Sequence, residues 1–317
     1  MSKVNRNDPK PSTASESRLT LFEFMRRFPD DGVCLDILVS KLYPDGIHCP
    51  KCDRTTKHYR DKVGPSYTCG FCGRHEHPMV GTIFQDSATS LHLWFYGIYL
   101  MASTRCGISA KQLERELGVT YKTAWRMFKQ IRSLLGPDDG LLNGTVELDE
   151  VYIGGEAKWK NQGRPLGEGR GTVGKQPVFG MAQRKSAKKA RDGKIVAQVV
   201  PDATSRTLLP KVRGGVDPKA TVYTDEWKSY DPLGRMGYQH STVQHSQHIY
   251  VSGDVHTNTI EGFWSLLQRG ISGVYHGVSG KHLQSYLDEY TFRYNHRDVE
   301  GWGMFGAMIS RIRKVPA

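Results

Sequence analysis

VELDEVYIGG, residues 146–155, has the apolar ends of a β-strand but carries Glu147, Asp149 and Glu150 in its middle. Buried carboxylates are costly unless they are partnered. An acid on a central strand is therefore paired with a base or bound to a metal. A second acidic strand end, VYTDEW, offers Asp225 beside Glu226. Two carboxylates from neighbouring strands can bridge hard divalent cations. A third ligand is expected from a helix packed over the sheet, and HTNTIEGFWSLLQRG supplies Glu261 in its first turns. Asn258, three residues earlier, shares that helical face and is a second candidate for the same role. Taken singly, each acid reads as an ordinary surface or capping carboxylate. Three of them, each on a rigid element where metal chemistry needs it, are harder to dismiss.

Around this core the pattern predicts strands over residues 145–153, 177–184, 194–200 and 220–224, with a helix over 205–212. Helices over 258–268, 281–295 and 304–313 follow, which makes residues 145–314 one α/β or α+β domain. Two stretches between the first strands are polar and basic. Residues 157–175 hold five Lys or Arg and residues 184–194 hold six. Solvated loops have such compositions, but Lys158, Lys160, Arg164, Lys185, Lys188 and Lys189 also suit contact with phosphates.

Upstream, the Gly-, Pro- and Asp-rich segment GPDDGLLNG, residues 136–144, marks a boundary. Residues 87–136 read as three helices, with Ser90, Ser109 and Thr120 at N-caps and Gly107 and Gly118 as breaks. Within them, Leu113 and Leu117 line one face, Gly118 and Val119 turn the chain, and Thr120 opens the next helix. That is a helix-turn-helix pattern, although any pair of antiparallel helices could give the same apolar spacing. Its second helix presents Tyr121, Lys122, Thr123 and Arg126 where base edges would be met. Trp125 and Phe128 have the spacing of core residues.

Residues 19–86 begin with two short helices, over 19–28 and 31–42. They continue into Cys49 and Cys52, then Cys69 and Cys72, two CxxC pairs separated by the 16 residues from 53 to 68. That spacing is the signature of a four-cysteine zinc ribbon whose ion is structural. His48, His58, His75 and His77 are nearby but surplus to a full thiolate shell. Cys34 and Cys106 lie among apolar neighbours and read as buried thiols. Residues 1–18 are polar, rich in Ser and Pro, and read as a disordered tail without the apolar core of a secretory signal.

Over the 317 residues, 44 Lys plus Arg against 32 Asp plus Glu give a net charge of +12, which suits a polyanion. A membrane is the weaker choice of partner. No apolar run reaches the roughly 20 residues of a spanning helix, and the stretch 91–102 carries His92 and Trp94.

In their order, the two CxxC pairs, the helix-turn-helix, LDEVYIGGE, YTDEWKSY, HTNTIEGFWSLLQRGISGVYH and YLDEYTFRYNHR resemble the bacterial insertion-sequence transposases of the ISXO-like group. The resemblance runs from about Leu19 to Arg313. It implies a zinc-ribbon reader ahead of a ribonuclease-H-like catalytic domain with a D-D-E or D-D-N set. Asp149 and Asp225 would be the first two metal ligands, and Glu261 or Asn258 the third. Members carry a basic residue about two helical turns beyond the third acid, a role that would fall to Arg269, next to Gln268. The implied activity is cutting and joining of DNA with two Mg2+ or Mn2+ ions. Double-stranded DNA would be the partner, both element ends and target, with the chain acting as a homodimer or higher oligomer in the cytoplasm on the nucleoid. Two readings compete with this one: a zinc-ribbon regulator that has lost the chemistry, and a nuclease of similar fold that cuts without joining.

Overall fold

The computed structural model describes residues 20–104, 106–138, 140–154, 175–185, 193–243, 255–299 and 302–314. They form two compact units. The first spans Met1–Arg105, Ala110–Leu134 and Val299–Ala317, and the second Cys106–Ser109 and Leu135–Asp298. Within these bounds only the described residues are discussed.

In the first unit, α1 (Leu21–Arg27) opens with a capping box in which Thr20 and Glu23 satisfy each other's backbone amides. Asp30 caps α2 (Asp31–Leu42) by accepting from the Val33 amide at 2.9 Å. Five short strands follow: β1 (His48–Cys49), β2 (Arg54–Thr55), β3 (His58–Arg60), β4 (Tyr67–Cys69) and β5 (His75–Glu76). β1 pairs with β2, and β3, β4 and β5 form a three-stranded antiparallel sheet. The helix α3 (Leu91–Ser103) is apolar almost all round and buries Trp94, Phe95, Ile98 and Met101. No helix among the described residues is long and apolar enough to cross a membrane.

The helices α4 (Ala110–Leu117) and α5 (Tyr121–Arg132) are joined through Gly118, whose φ of 64° a side chain would disfavour. Leu113, Leu117, Ala124, Met127, Phe128 and Ile131 are their buried stripe. The last helix of the chain, α9 (Gly303–Ser310), also belongs to this unit. The sequence pattern groups it with residues 145–314, whereas it packs within the first unit. Its Phe305 ring meets Phe24, Phe28 and Phe95, an aromatic cluster that decides where it packs.

The second unit is a five-stranded mixed sheet. β6 (Thr145–Ile153) and β8 (Lys194–Val199) each pair antiparallel with β7 (Gln176–Gln183) between them. The chain then passes through α6 (Ser205–Gly215) to β9 (Thr221–Asp225), which lies parallel to β6. A 3-10 helix (Lys228–Met236) leads to β10 (Gln239–Val243), parallel to β9. The order across the sheet is β10-β9-β6-β7-β8, so β6 is central. α7 (Asn258–Gly273) and α8 (Gly280–Asn295) complete the unit.

The two faces have separate cores. Val146, Leu148, Met181 and Val222 pack against Leu208 and Val212 of α6 and against Tyr230 and Leu233. Val178, Ala182, Ile195 and Ala197 pack against Ile260, Phe263, Trp264 and Leu267 of α7 and Leu283 and Leu287 of α8. Side chains alternate along a strand. Glu147 and Asp149 therefore point to the α7 face, and Glu150 to the α6 face.

Candidate active site

Glu147 is fully buried. Its carboxylate accepts from the amides of Thr259 at 2.8 Å and Ile260 at 3.0 Å and from the Thr259 hydroxyl at 2.8 Å, so it caps the first turn of α7. An acid at a helix N-terminus also meets the positive end of the helix dipole. Arg184 donates to it through Nε at 2.6 Å and holds the His256 carbonyl through its other arm, also at 2.6 Å. This acid is committed to architecture.

Asp149 is two residues further along the same face. Its Oδ2 accepts from the indole Nε1 of Trp264 at 2.9 Å, and it makes no ion pair among the described residues. Gly180 stands opposite Asp149 on β7. A Cβ there would come within 2.4 Å of the Trp264 ring, so the glycine makes room for the indole that reaches Asp149. Burial, then the charge of Glu150, with a further contribution from Asp225, pushes the Asp149 carboxyl up to about 7. Glu150, on the other face, is pushed up to about 7, first by burial and also by Asp225, although the Tyr230 hydroxyl donates to it.

Asp225 ends β9. The parallel register pairs Glu147 with Tyr223, which sets Asp225 level with Asp149 on the neighbouring strand. Asp225 Oδ1 accepts from the Trp227 amide at 3.0 Å, which shapes the turn after the strand. Asp225 thus raises the proton affinity of both Asp149 and Glu150. A hard divalent cation would suit Asp149 and Asp225, because it would relieve their surplus negative charge.

The third predicted ligand is not gathered as closely. Glu261 is exposed in the first turn of α7 and accepts from the Thr257 hydroxyl at 2.7 Å. Asn258, also exposed, is the first residue of that helix. Among the described residues, the group of three or more potential metal ligands whose donor atoms converge is the cysteine quartet, and Asp149, Asp225 and Glu261 do not form one. Arg269 is exposed, with Nε donating to the Ser265 carbonyl one turn back at 3.2 Å. Lys185 is engaged with Asp298 at 2.7 Å. Lys158, Lys160, Arg164, Lys188 and Lys189 lie outside the described residues.

In the first unit, the Sγ atoms of Cys49, Cys52, Cys69 and Cys72 all lie within 4.8 Å of one another. Cys49 and Cys72 are 3.5 Å apart, and Cys52 and Cys69 3.9 Å. Tetrahedral zinc with bonds of about 2.3 Å sets its sulfurs about 3.8 Å apart, so the four cysteines could hold a zinc ion.

On α5, Tyr121 and Lys122 are exposed. Thr123 is drawn into the cap, with its amide donating to the Thr120 hydroxyl. Arg126 donates to the backbone carbonyls of Gln85 at 2.8 Å and Asp86 at 3.3 Å and so braces the preceding loop. Two expectations need correction. Trp125, expected in the core, is 37% exposed, with the Lys129 ammonium over its ring, while Phe128 is buried. Cys34 is buried as expected, but Cys106 is exposed. The Tyr290 hydroxyl bonds the Cys106 carbonyl, so this turn is held by its backbone.

Sequence reasoning gave no role to Trp264, Gly180 or Tyr230. The signal for the first two was available, since an indole one turn after Glu261 and a glycine inside an apolar strand both ask for a reason.

The second unit thus carries acids on the central strands of a mixed sheet that follows a four-cysteine module in sequence, and comparisons with known proteins give its family. Residues 141–295 match the ISXO2-like transposase domain. A protein of transposable element ISH50 from Halobacterium salinarum is 31% identical over 280 residues, 85% of this chain and 92% of that protein. A transposase-like protein of Haemophilus influenzae is 34% identical over 107 residues, 34% of this chain and 85% of that one. A chain of the simian T-cell lymphotropic virus intasome in complex with PP2A regulatory subunit B56 gamma aligns at 14% identity and a TM-score of 0.28, over 56% of this chain and 63% of that one. At that score the likeness carries no argument. This chain belongs to the ISXO2-like family of insertion-sequence transposases.

Proposed function

We propose that this protein binds the ends of an insertion sequence and catalyses metal-dependent cleavage and strand transfer of DNA from a ribonuclease-H-like domain. The observation that carries the reading is the pairing of Asp149 with Asp225 at the centre of the sheet. Asp149 has no cationic partner among the described residues, and both Asp149 and Glu150 hold their protons unusually tightly. Asp149 and Asp225 would hold two Mg2+ or Mn2+ ions together with Glu261, and Asn258 is the alternative third ligand. Bound there, the ions would activate water or a DNA 3′-hydroxyl and stabilise the leaving oxygen. The chain's own part is positional: Trp264 orients Asp149, the Trp227 amide orients Asp225, and Glu147 fixes the start of the helix that bears Glu261.

The first unit would serve as the reader. Zinc on Cys49, Cys52, Cys69 and Cys72 would hold the ribbon, and α4 and α5 would act as a helix-turn-helix with Tyr121 and Lys122 on its reading face. Basic side chains, Arg269 and the lysines of the two basic stretches among them, would neutralise phosphates, with two or more copies of the chain assembled on DNA. The test is a strand-transfer assay on labelled duplexes carrying the sequences that flank the reading frame. Asp149→Asn and Asp225→Asn should each abolish cutting and joining while leaving duplex binding intact. Near-normal Mg2+-dependent activity in either variant would remove that acid from the site. Cutting without joining by the parent chain would make it a nuclease.

A further inference from the structure

We propose that the hollow between Trp227 and the start of α6 seats one unpaired base of a DNA strand lying next to the acidic site. This rests on the DNA-acting reading of Asp149 and Asp225 and adds a ligand subsite to it. The hollow has a volume of about 400 Å3 and is lined by Tyr152, Ala203, Thr204, Trp227, Lys228 and Ser229, among others. Trp227 is 50% exposed, yet its position is fixed at two points. Its amide donates to Asp225 Oδ1 at 3.0 Å and its indole Nε1 to the Ala203 carbonyl at 3.2 Å. The Ser229 hydroxyl donates to the same carbonyl at 2.7 Å and firms the floor. An aromatic ring that is held in place but left open to solvent is pre-ordered for a flat partner, because little side-chain freedom remains to be lost on binding.

The charges select the kind of partner. Lys228 is exposed and makes no ion pair among the described residues, so it can meet a backbone phosphate beside the base. The start of α6 is a poor seat for the phosphate itself. The Thr204 hydroxyl there donates to Asp202, whose carboxylate would repel an anion. The ring of Trp227 is thus left as the element that defines the ligand, and every base offers it a π face. On the opposite side, Tyr152 belongs to β6, three residues beyond Asp149. Tyr152 shares the α6 face with Glu150, whereas Trp227 is bonded directly to Asp225, so a base in this hollow would place its own strand beside Asp225.

The experiment uses the full chain without added divalent metal, so that no cutting intervenes, and a fluorescein-labelled ten-nucleotide oligo(dT) read by anisotropy. Trp227→Ala should weaken binding about tenfold, the scale of one base stacked on one aromatic ring, and Trp227→Phe should restore most of it. An oligonucleotide of abasic residues should bind the parent weakly and be indifferent to Trp227→Ala, whereas Lys228→Ala should weaken both probes. A 5-iododeoxyuridine in the oligo(dT) should crosslink to Trp227 in the parent protein, which decides the matter even if Trp227→Ala melts early. Equal oligo(dT) affinity for parent and Trp227→Ala, an equal loss on the abasic probe, no binding by the parent, or crosslinks confined to other residues would each overturn the proposal. Failure of the transposase reading would appear separately, as no Mg2+-dependent cutting or joining of duplex DNA by the parent chain.

Discussion

Asp149 has one side-chain hydrogen-bond donor among the described residues, the Trp264 indole, and that donor reaches it because Gly180 leaves room. Trp264→Phe keeps the ring and deletes the N–H. It should raise the Mg2+ concentration needed for half-maximal cleavage about tenfold or more, because a hydrogen bond to a charged group contributes about 1.5–3 kcal/mol. Gly180→Ala should do the same by displacing the ring. Unchanged Mg2+ dependence in both variants would separate Trp264 from Asp149. The protonation of this pocket makes a second prediction. Without divalent cations, Asp149 and Glu150 hold protons up to about pH 7, chiefly because burial disfavours their charged forms. Unfolded carboxyls release theirs near pH 4. Between about pH 4 and 7 the folded state therefore binds more protons than the unfolded one, and stability falls as pH rises through that window before levelling off. Melting temperatures from pH 5 to 8 should fall less steeply for Glu150→Gln than for the parent. Parallel curves would show that Glu150 is already ionised.

At the scale of elements, α7 is tied to the central strand at two places, by Glu147 at its first turn and by Trp264 further along. Removing Glu147 leaves Arg184 half-buried without its carboxylate and uncaps the helix. Glu147→Ala should cost about 3–5 kcal/mol in the second unit, with no rescue by Mg2+. Asp149→Asn, by contrast, should melt no earlier than the parent. If Glu147→Ala melted like the parent and lost only activity, Glu147 would belong with the chemistry. The same element shows what the sequence could convey. The central strands were legible because their apolar residues recur at strand spacing, and Asp149 and Asp225 because acids inside such strands need a reason. The division of labour between Glu147 and Asp149 was not, since residue type does not name a partner; the period of two tells only that both share a face. β10 escaped notice because QHSTV has one apolar residue, Val243, and owes its conformation to parallel pairing with β9. Trp125 misled because helical spacing marks a stripe but not its edge, and this ring lies just outside the buried one.

At the scale of the whole chain, the first unit is assembled from the two ends of the sequence, with the second unit's residues running between them. α9 returns to the aromatic cluster of α1 and α3, where Phe305 is 5% exposed and meets Phe24, Phe28, Phe95 and Trp302. Arg27 stacks over Trp302 at 4.1 Å, and Lys314 bonds Glu76 of β5 at 2.6 Å, so the closing segment is fastened along its length. Two units with separate cores should melt as separable transitions. Phe305→Ala would leave a cavity in the first core and should destabilise that unit by about 3–5 kcal/mol. Zinc chelation should lower the same transition, because ligand binding to the folded ribbon adds directly to its stability. The second unit, which carries the acids, should keep its transition and its response to Mg2+ in both cases. Calorimetry of the parent, of Phe305→Ala and of the chelated protein, each with and without Mg2+, makes the comparison. A single transition that moves as a whole in all three would mean that the two units fold as one, and the assignment of the last helix to the first unit would lose its energetic meaning.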